Sequence, residues 1–571
     1  VPTAAALVAR HHERKRVRKL RMTALSALVV GALAGSALAS ASFAAAADPA
    51  EAGLPPVTAA APAPAVQAAE AVAQVSWKAC ADADLHKAEA KCGTLSVPLD
   101  YSRPGGAQIQ LALSRVEHTV PQAQYQGIML VNPGGPGGSG VGLSILGGFV
   151  PNHAGAAYDW IGFDPRGVGA SDPALTCQKH YFGPTRPEYV PTTAALEKSW
   201  LDRAKAYARA CGVNGGELLA YLKTTDTVRD MDRIRASLGA RQLNFYGFSY
   251  GTYLGQVYST MFPDRVRRMV LDSNVDPTRV WYQANLDQDV AFERNEKLWW
   301  AWIASYDATY HLGSTEKAVE KAWYAEAARL RRSPAGGRIG PAEWNDIFLT
   351  AGYAQVTWPD QAALWADWVK THKPAAMIAE YERVATPDDD NGYAIYDAVQ
   401  CTDTAWPSRW STWREDNWQV YQKARFETWG NAWFNAPCLN WPASSGRPVD
   451  VDGRKTAPIL LVGETLDAAT PFSGSLEVRK RFPMSRLIAL PGGTSHAFSL
   501  FGNACLDDQI AAYLADGTLP PRKPGSGPDT TCDPLPAPVP GTLTAPVGAA
   551  LKAATSDRHA LLTRLLHSHR L

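Results

Sequence analysis

The feature that most restricts how this chain can fold is Gly247-Phe248-Ser249-Tyr250-Gly251, with strand-like LNFY before it and helix-like TYLGQVYSTMF after it. Glycines at both ends let the backbone reverse sharply between strand and helix, leaving the serine side chain exposed on a strained turn. G-x-S-x-G alone is common, and its setting is what gives it chemical meaning. An ordinary serine turn is the alternative.

The neighbouring segments supply the sheet that such a turn needs. GIMLVNPGG and YDWIGFDPRG are short apolar runs that end in Gly/Pro turns, the pattern of buried parallel strands feeding loops. TLSVPLDY and QIQLALSRVEH form an opening pair of strands, the second alternating as a half-exposed strand does. TDTVRDMDRIRASLG carries Val228, Met231, Ile234 and Leu238 at helical spacing and stops at Gly239. VRRMVLDSN, TAPILLVG and RLIALPGG add further strands. The succession predicts an α/β fold with a mostly parallel sheet covered by helices.

The alternation breaks between residues 277 and 450. Of the 19 Trp in the chain, 16 fall between residues 281 and 441, among helix-like stretches such as STEKAVEKAWYAEAARL. A large, mainly helical cap inserted into the sheet domain accounts for this, with most Trp in its own core and a few lining a ligand cleft. The expected organisation is therefore 76–276 for the first part of the sheet domain, 277–450 for the cap and 451–533 for the second part. Residues 534–571 read as a linker and tail: PLPAPVPGTLTAPVG as a flexible spacer, then a short apolar helix with Leu561, Leu562, Leu565 and Leu566.

The N-terminus follows a different logic. HHERKRVRKLR leads into TALSALVVGALAGSALA and then small residues up to Ala47, the order of a secretory signal peptide over residues 1–47. A membrane anchor is the alternative, but the Ala/Gly-rich run and its small-residue exit favour cleavage, so no stable transmembrane anchor is expected. Residues 48–75 read as a Pro/Ala-rich linker or pro-segment. Without the first 21 residues the chain carries 49 Lys and Arg against 54 Asp and Glu, a mildly acidic body that gives no support to nucleic-acid binding.

Export makes the eight cysteines an even disulfide set, for an extracellular protein. Grouping by neighbours pairs Cys80 with Cys92, Cys177 with Cys211, Cys401 with Cys438, and Cys505 with Cys532, with free buried thiols as the alternative. There is no tight CxxC, and His496 is the only histidine between residues 373 and 558, so no metal site is expected.

A serine hydroxyl needs a base. Asp467 lies just beyond the strand ILLVG, and His496 lies in the loop after RLIAL. The chain order Ser249, Asp467, His496 is the order in which this kind of sheet builds a nucleophile, an acid and a base. Asp164 in FDPRG is a rival acid, with Arg166 and nearby glycines suiting it to loop organisation, and Glu464 is a weaker one. VNPGGPGGSG brings backbone close to a substrate, so the N–H groups of Gly135 and Tyr250 are candidates for an oxyanion hole. That loop has neither the GKS/GKT end of a P-loop nor GxGxxG spacing.

GGPGGSG, FDPRGVGASDP, GFSYGTYLG, the long insertion, GETLDAATP and GTSHAF together resemble the secreted actinobacterial tripeptidyl aminopeptidases of the α/β-hydrolase fold, relatives of prolyl aminopeptidases. The resemblance runs over roughly residues 77 to 533. It implies Ser249, Asp467 and His496 as the catalytic residues, Gly135 and Tyr250 as the oxyanion hole, no cofactor, and short peptides with a free N-terminus as substrates. Ala468 stands where related enzymes often have proline, while Asp467, Thr470 and Pro471 match. Relatives bind the substrate amine with cap carboxylates, for which Glu293 and Asp403 are the counterparts proposed here, each with a structural role as the alternative. Two other classes share the framework: a carboxylesterase or related acyl hydrolase, and a noncatalytic binding protein.

Overall fold

The computed structural model describes residues 74–540. The secretory segment, most of the 48–75 linker and the tail from residue 541 lie outside the described residues. One sheet of ten strands runs through the molecule: β1 (Lys78–Ala79), β2 (Lys91–Pro98), β3 (Gln108–Val116), β4 (Ile128–Asn132), β5 (Asp159–Phe163), β6 (Leu243–Phe248), β7 (Val266–Asp272), β8 (Leu460–Glu464), β9 (Arg486–Leu490) and β10 (Thr530–Thr531). Their spatial order is β1-β2-β3-β5-β4-β6-β7-β8-β9-β10. The pairings from β1 to β5 are antiparallel, and every pairing from β5 through β4 to β10 is parallel.

The apolar runs of β4, β6, β7, β8 and β9 are continuous because both sheet faces are covered. Ile128 and Leu130 pack on one side with Phe245, Leu271, Leu461 and the helix residues Val228, Met231 and Ile234. Met129 and Val131 face the other side with Tyr246, Val270, Leu460, Leu506 and Ile510. The period-two alternation of each strand thus feeds two separate cores.

Register carries function. Asn132 pairs with Gly247, Phe248 with Asp272, Asp272 with Val462, and Glu464 with Leu490. The carboxyl ends of β4, β6, β7, β8 and β9 therefore align, and the loops bearing Gly135, Ser249, Asp467 and His496 all leave one edge of the sheet. In open α/β sheets that edge is where ligands bind.

The cap is helical as expected, from the helix Tyr282–Ser305 to the helix Thr428–Asn435. Its core is a knot of indoles in which Trp299, Trp300, Trp323, Trp344 and Trp365 pack around Ile347 and Phe348. Among the described residues, Trp281 is the one tryptophan that lines the cavity over Ser249 described below. Among the described residues no helix is long and apolar enough to cross a membrane.

Two features depart from the sequence reading. The helix Ala194–Gly215 falls in the stretch assigned to the sheet domain, yet its Trp200 and Ala204 pack with Trp429, Ala432 and Trp433 of the cap, and Trp200 stacks on Trp433 at 5.8 Å. The segment after Cys532 is not a free spacer as far as residue 540. The carbonyls of Asp533, Leu535 and Pro538 accept hydrogen bonds from Asn503 (2.8 Å), Gln355 (2.8 Å) and the Trp302 indole (2.9 Å). Proline lacks an N–H, but its carbonyl still binds a donor.

The four disulfides join the neighbouring cysteines: Cys80–Cys92, Cys177–Cys211, Cys401–Cys438 and Cys505–Cys532. Cys401–Cys438 closes a loop of 37 residues beside the cavity, tying the helix Asn391–Asp403 to the end of the cap. Replacing both cysteines with serine is expected to lower the unfolding free energy by about 2–4 kcal/mol through the freed unfolded chain. Urea unfolding of the oxidised parent and the double variant measures it.

Candidate active site

Ser249 sits between β6 and the helix Tyr250–Met261 with φ 54° and ψ −125°. A non-glycine residue held there is strained, as expected of a side chain presented on a sharp turn. The turn is held through its backbone. The Ser249 N–H donates to Asp272 O at 3.0 Å, and the Ser249 carbonyl accepts from the N–H (2.8 Å) and hydroxyl (2.6 Å) of Thr252. Gly134 lies so close that a Cβ there would meet Phe248 O at 2.6 Å and Ser249 Cβ at 2.8 Å. The glycine loop is therefore wedged against the turn, and Gly135, Ser249 and Tyr250 line one cavity. Tyr250 opens its helix, where the first N–H groups have no intrahelical acceptor and face developing negative charge favourably.

His496 Nδ1 lies 2.9 Å from Asp467 Oδ2 and 3.1 Å from Oδ1. The carboxylate is fixed by three further donors: the N–H groups of Ala469 (2.9 Å) and Thr470 (3.0 Å) to Oδ1, and the Thr470 hydroxyl (2.9 Å) to Oδ2. Asp467 and His496 are buried, at 1% and 3% exposure, which strengthens their interaction. Thr470 and Tyr353 flank the His496 ring and line the same cavity as Ser249. β7 ties the two loops together from below: Asp272 O holds the Ser249 N–H, and Ser273 Oγ accepts from the Ala497 N–H at 2.8 Å.

The rival acids have other partners. Asp164 accepts from Ser139 Oγ (2.6 Å) and from the N–H groups of Gly140 (3.0 Å), Val141 (3.1 Å) and Ala170 (2.8 Å), which joins the glycine loop to the DPRG loop. Glu464 accepts from the Ser495 N–H at 2.5 Å, and burial pushes its carboxyl up to about 8. Arg166 pairs through two nitrogens with Asp230, away from the serine.

Both carboxylates named for the substrate amine have partners within the protein, as the structural alternative expects. Glu293 Oε2 accepts from the N–H groups of Arg425 (2.8 Å) and Phe426 (2.9 Å), and Oε1 pairs with Lys297 at 2.7 Å. Asp403 accepts from Thr224 N–H (2.7 Å), Thr224 Oγ1 (2.6 Å) and the Trp281 indole (3.2 Å), with its carboxyl pushed up to about 6 by burial. Neither lines the cavity. Both are committed to holding cap and loop backbone. Asp403 does reach the site indirectly, since Thr224 Oγ1 also lies 2.8 Å from Tyr250 OH.

The cavity has a volume of about 250 Å³ and is roofed by the cap. Its acidic residues are Asp276, Asp287, Asp346, Asp389 and Glu427, none of which stands in a sequence motif. Asp346 bonds with Arg186 and with Tyr189 OH (2.7 Å), so its charge is shared. Glu427, which also lines the cavity, accepts from Asn345 Nδ2 at 2.8 Å. The site combines a serine on a strained turn, a buried His–Asp pair, backbone donors and a cap-roofed cavity with several carboxylates in its lining.

Comparison with known proteins agrees with this geometry. Residues 424–532 match a family described as TAP-like protein. The chain is 41% identical over 493 residues to the tripeptidyl aminopeptidase of Streptomyces lividans, covering 83% of this chain and 90% of that protein. It is 30% identical over 458 residues to the serine protease Hip1 of Mycobacterium tuberculosis, covering 76% of this chain and 86% of that one. A Mycobacterium tuberculosis carboxylesterase B is 30% identical over 476 residues, covering 78% and 89%. The chain belongs to the tripeptidyl aminopeptidase family of α/β-hydrolases.

Proposed function

We propose that this protein is an exported serine exopeptidase that releases short peptides, tripeptides among them, from the free N-terminus of peptide substrates. The observation that carries the reading is the cap-roofed cavity over Ser249, with the Glu427 carboxylate in its wall. An open acyl-ester cleft has no need of such a wall, whereas a peptide ammonium entering a low-dielectric chamber requires an anion there. The relative called tripeptidyl aminopeptidase supports the same reaction class.

The chemistry is acyl transfer to water. His496 Nε2 takes the Ser249 proton as Oγ attacks the scissile carbonyl, and Asp467 holds the imidazole in the tautomer that accepts at Nε2. The N–H groups of Gly135 and Tyr250 stabilise the oxyanion, and His496 returns its proton to the leaving amine. Water then attacks the acyl carbonyl while giving a proton to His496, and as the C–Oγ bond breaks His496 passes that proton to Ser249 Oγ, which releases the acid product and restores the serine. Glu427 is the amine anchor in place of Glu293 and Asp403.

The test compares kcat/KM for an unblocked tripeptide anilide, its N-acetyl counterpart and a short acyl ester, in the parent and in Glu427→Gln. The parent is expected to prefer the free amine strongly, and Glu427→Gln to lose about 10- to 100-fold on that substrate alone, the size of one charge-assisted hydrogen bond. Equal parental rates on blocked and unblocked peptides would reject exopeptidase selection. A parental preference for the ester over both peptides favours the carboxylesterase reading, which the 30% identical carboxylesterase B brings forward. Export rests on the N-terminal order of basic, apolar and small residues, and N-terminal sequencing of protein from culture medium checks it.

A further inference from the structure

One cap helix, Tyr282–Ser305, reaches both the acid loop and the histidine loop, and a second, Pro341–Tyr353, meets the histidine loop. On Tyr282–Ser305, Gln288, Phe292 and Asn295 lie at i, i+4 and i+7 on one face. Gln288 Nε2 donates to Ala469 O at 2.6 Å, just past the candidate acid. Asn295, fully buried, donates through Nδ2 to Thr494 O (3.2 Å) in the histidine loop and to Gly352 O (3.0 Å). Phe292 packs on Tyr353 at 4.8 Å, and the Tyr353 ring lies edge-on to His496 at 5.9 Å. The Tyr353 carbonyl accepts the His496 N–H at 2.8 Å. Beside this face, Arg294 Nη2 donates to the carbonyls of Leu466 and Asp467, the latter at 3.2 Å.

Loop carbonyls at a buried edge need donors. Here the cap provides them, to the acid loop from Arg294 and Gln288 and to the base loop from Asn295. We propose that Arg294 and Asn295 are positioning residues for the His496–Asp467 pair, so that the cap helix sets the catalytic geometry as well as covering the substrate. The inference rests on the reading of Ser249, Asp467 and His496 as a triad, and it holds for peptide and ester substrates alike.

The experiment measures kcat and KM for the parent, Arg294→Met, Arg294→Lys and Asn295→Ala, on a free-amine peptide and on a short acyl ester. The rate of Ser249 labelling by a serine-directed phosphonate is measured in parallel. Misplacing the pair is expected to lower kcat by about 10²-fold in Arg294→Met and Asn295→Ala with KM within about threefold of the parent, and to slow labelling in proportion. Arg294→Lys, which keeps a cationic donor at the same place, is expected to recover much of the parental kcat that Arg294→Met loses. Asn295 is buried, so if Asn295→Ala fails to fold, the two Arg294 variants decide. Parental kcat in Arg294→Met overturns the inference, as does a loss confined to KM. A parent that takes no phosphonate at Ser249 overturns the triad and this inference together, whereas normal parental labelling with an unaffected Arg294→Met overturns the inference alone.

Discussion

Ser249→Ala is expected to lower kcat by roughly 10⁶-fold and to abolish phosphonate labelling, while leaving the fold intact. The size follows from the role: without the hydroxyl no acyl-enzyme forms, and what remains is binding plus the oxyanion donors. Intact folding follows from how the turn is built. Its backbone bonds run to Asp272 O and to Thr252, and none of them uses the serine side chain. Alanine meets the same positive φ as serine, so the strain is the same in both. Circular dichroism and a thermal melt of the variant should match the parent. Parental hydrolysis or labelling in this variant would remove Ser249 from the mechanism.

The sheet was legible because its signals are local. Each central strand is a short apolar run with turn residues at its end, and the strand–turn–helix around Ser249 repeats the same grammar with glycines at the tight points. Even the cystine pairing followed from neighbourhood, since each bridge closes a loop of 37 residues or fewer. The placement of Ala194–Gly215 was not legible in that way. A helix records in its sequence that it has an apolar face, and not which of several distant faces it meets. Trp200 meets Trp433 across more than two hundred residues, a pairing that neither residue's surroundings encode.

The cap carboxylates illustrate the same limit at the level of chemistry. Glu293 and Asp403 are acids near aromatic residues, as an amine subsite requires, yet each lies where backbone N–H groups needed an acceptor. Glu427 sits in RFETWG, a stretch without any motif, and reaches the chamber because the helix beginning at Thr428 turns it inward. A buried carboxylate serves as brace or as ligand according to which donors surround it, and those donors come from remote parts of the chain. In contrast, the Ser249, Asp467 and His496 loops were readable because each follows a strand end and the register aligns those ends.

The choice among acids gives the sharpest separation of outcomes. Asp467→Asn is expected to lower kcat by about 10⁴-fold, because an amide at that position favours the wrong imidazole tautomer and does not stabilise the imidazolium. Asp164→Asn removes charge from the acceptor that joins the glycine and DPRG loops, so its cost falls on stability and loop order. Glu464→Gln should leave kcat near the parental value at pH 7. With its carboxyl pushed up to about 8, Glu464 is mostly protonated there, and glutamine keeps both the shape and the oxygen that accepts the Ser495 N–H. The same group marks the stability profile. Between its ordinary value of 4.5 and about 8 the folded protein holds a proton that the unfolded chain has released, so this carboxyl makes stability fall as pH rises through that window. Glu464→Gln removes that contribution and flattens the decline, which urea unfolding at pH 5, 6, 7 and 8 reads directly. A large loss of kcat in Glu464→Gln with little in Asp467→Asn would move the catalytic acid to the strand end.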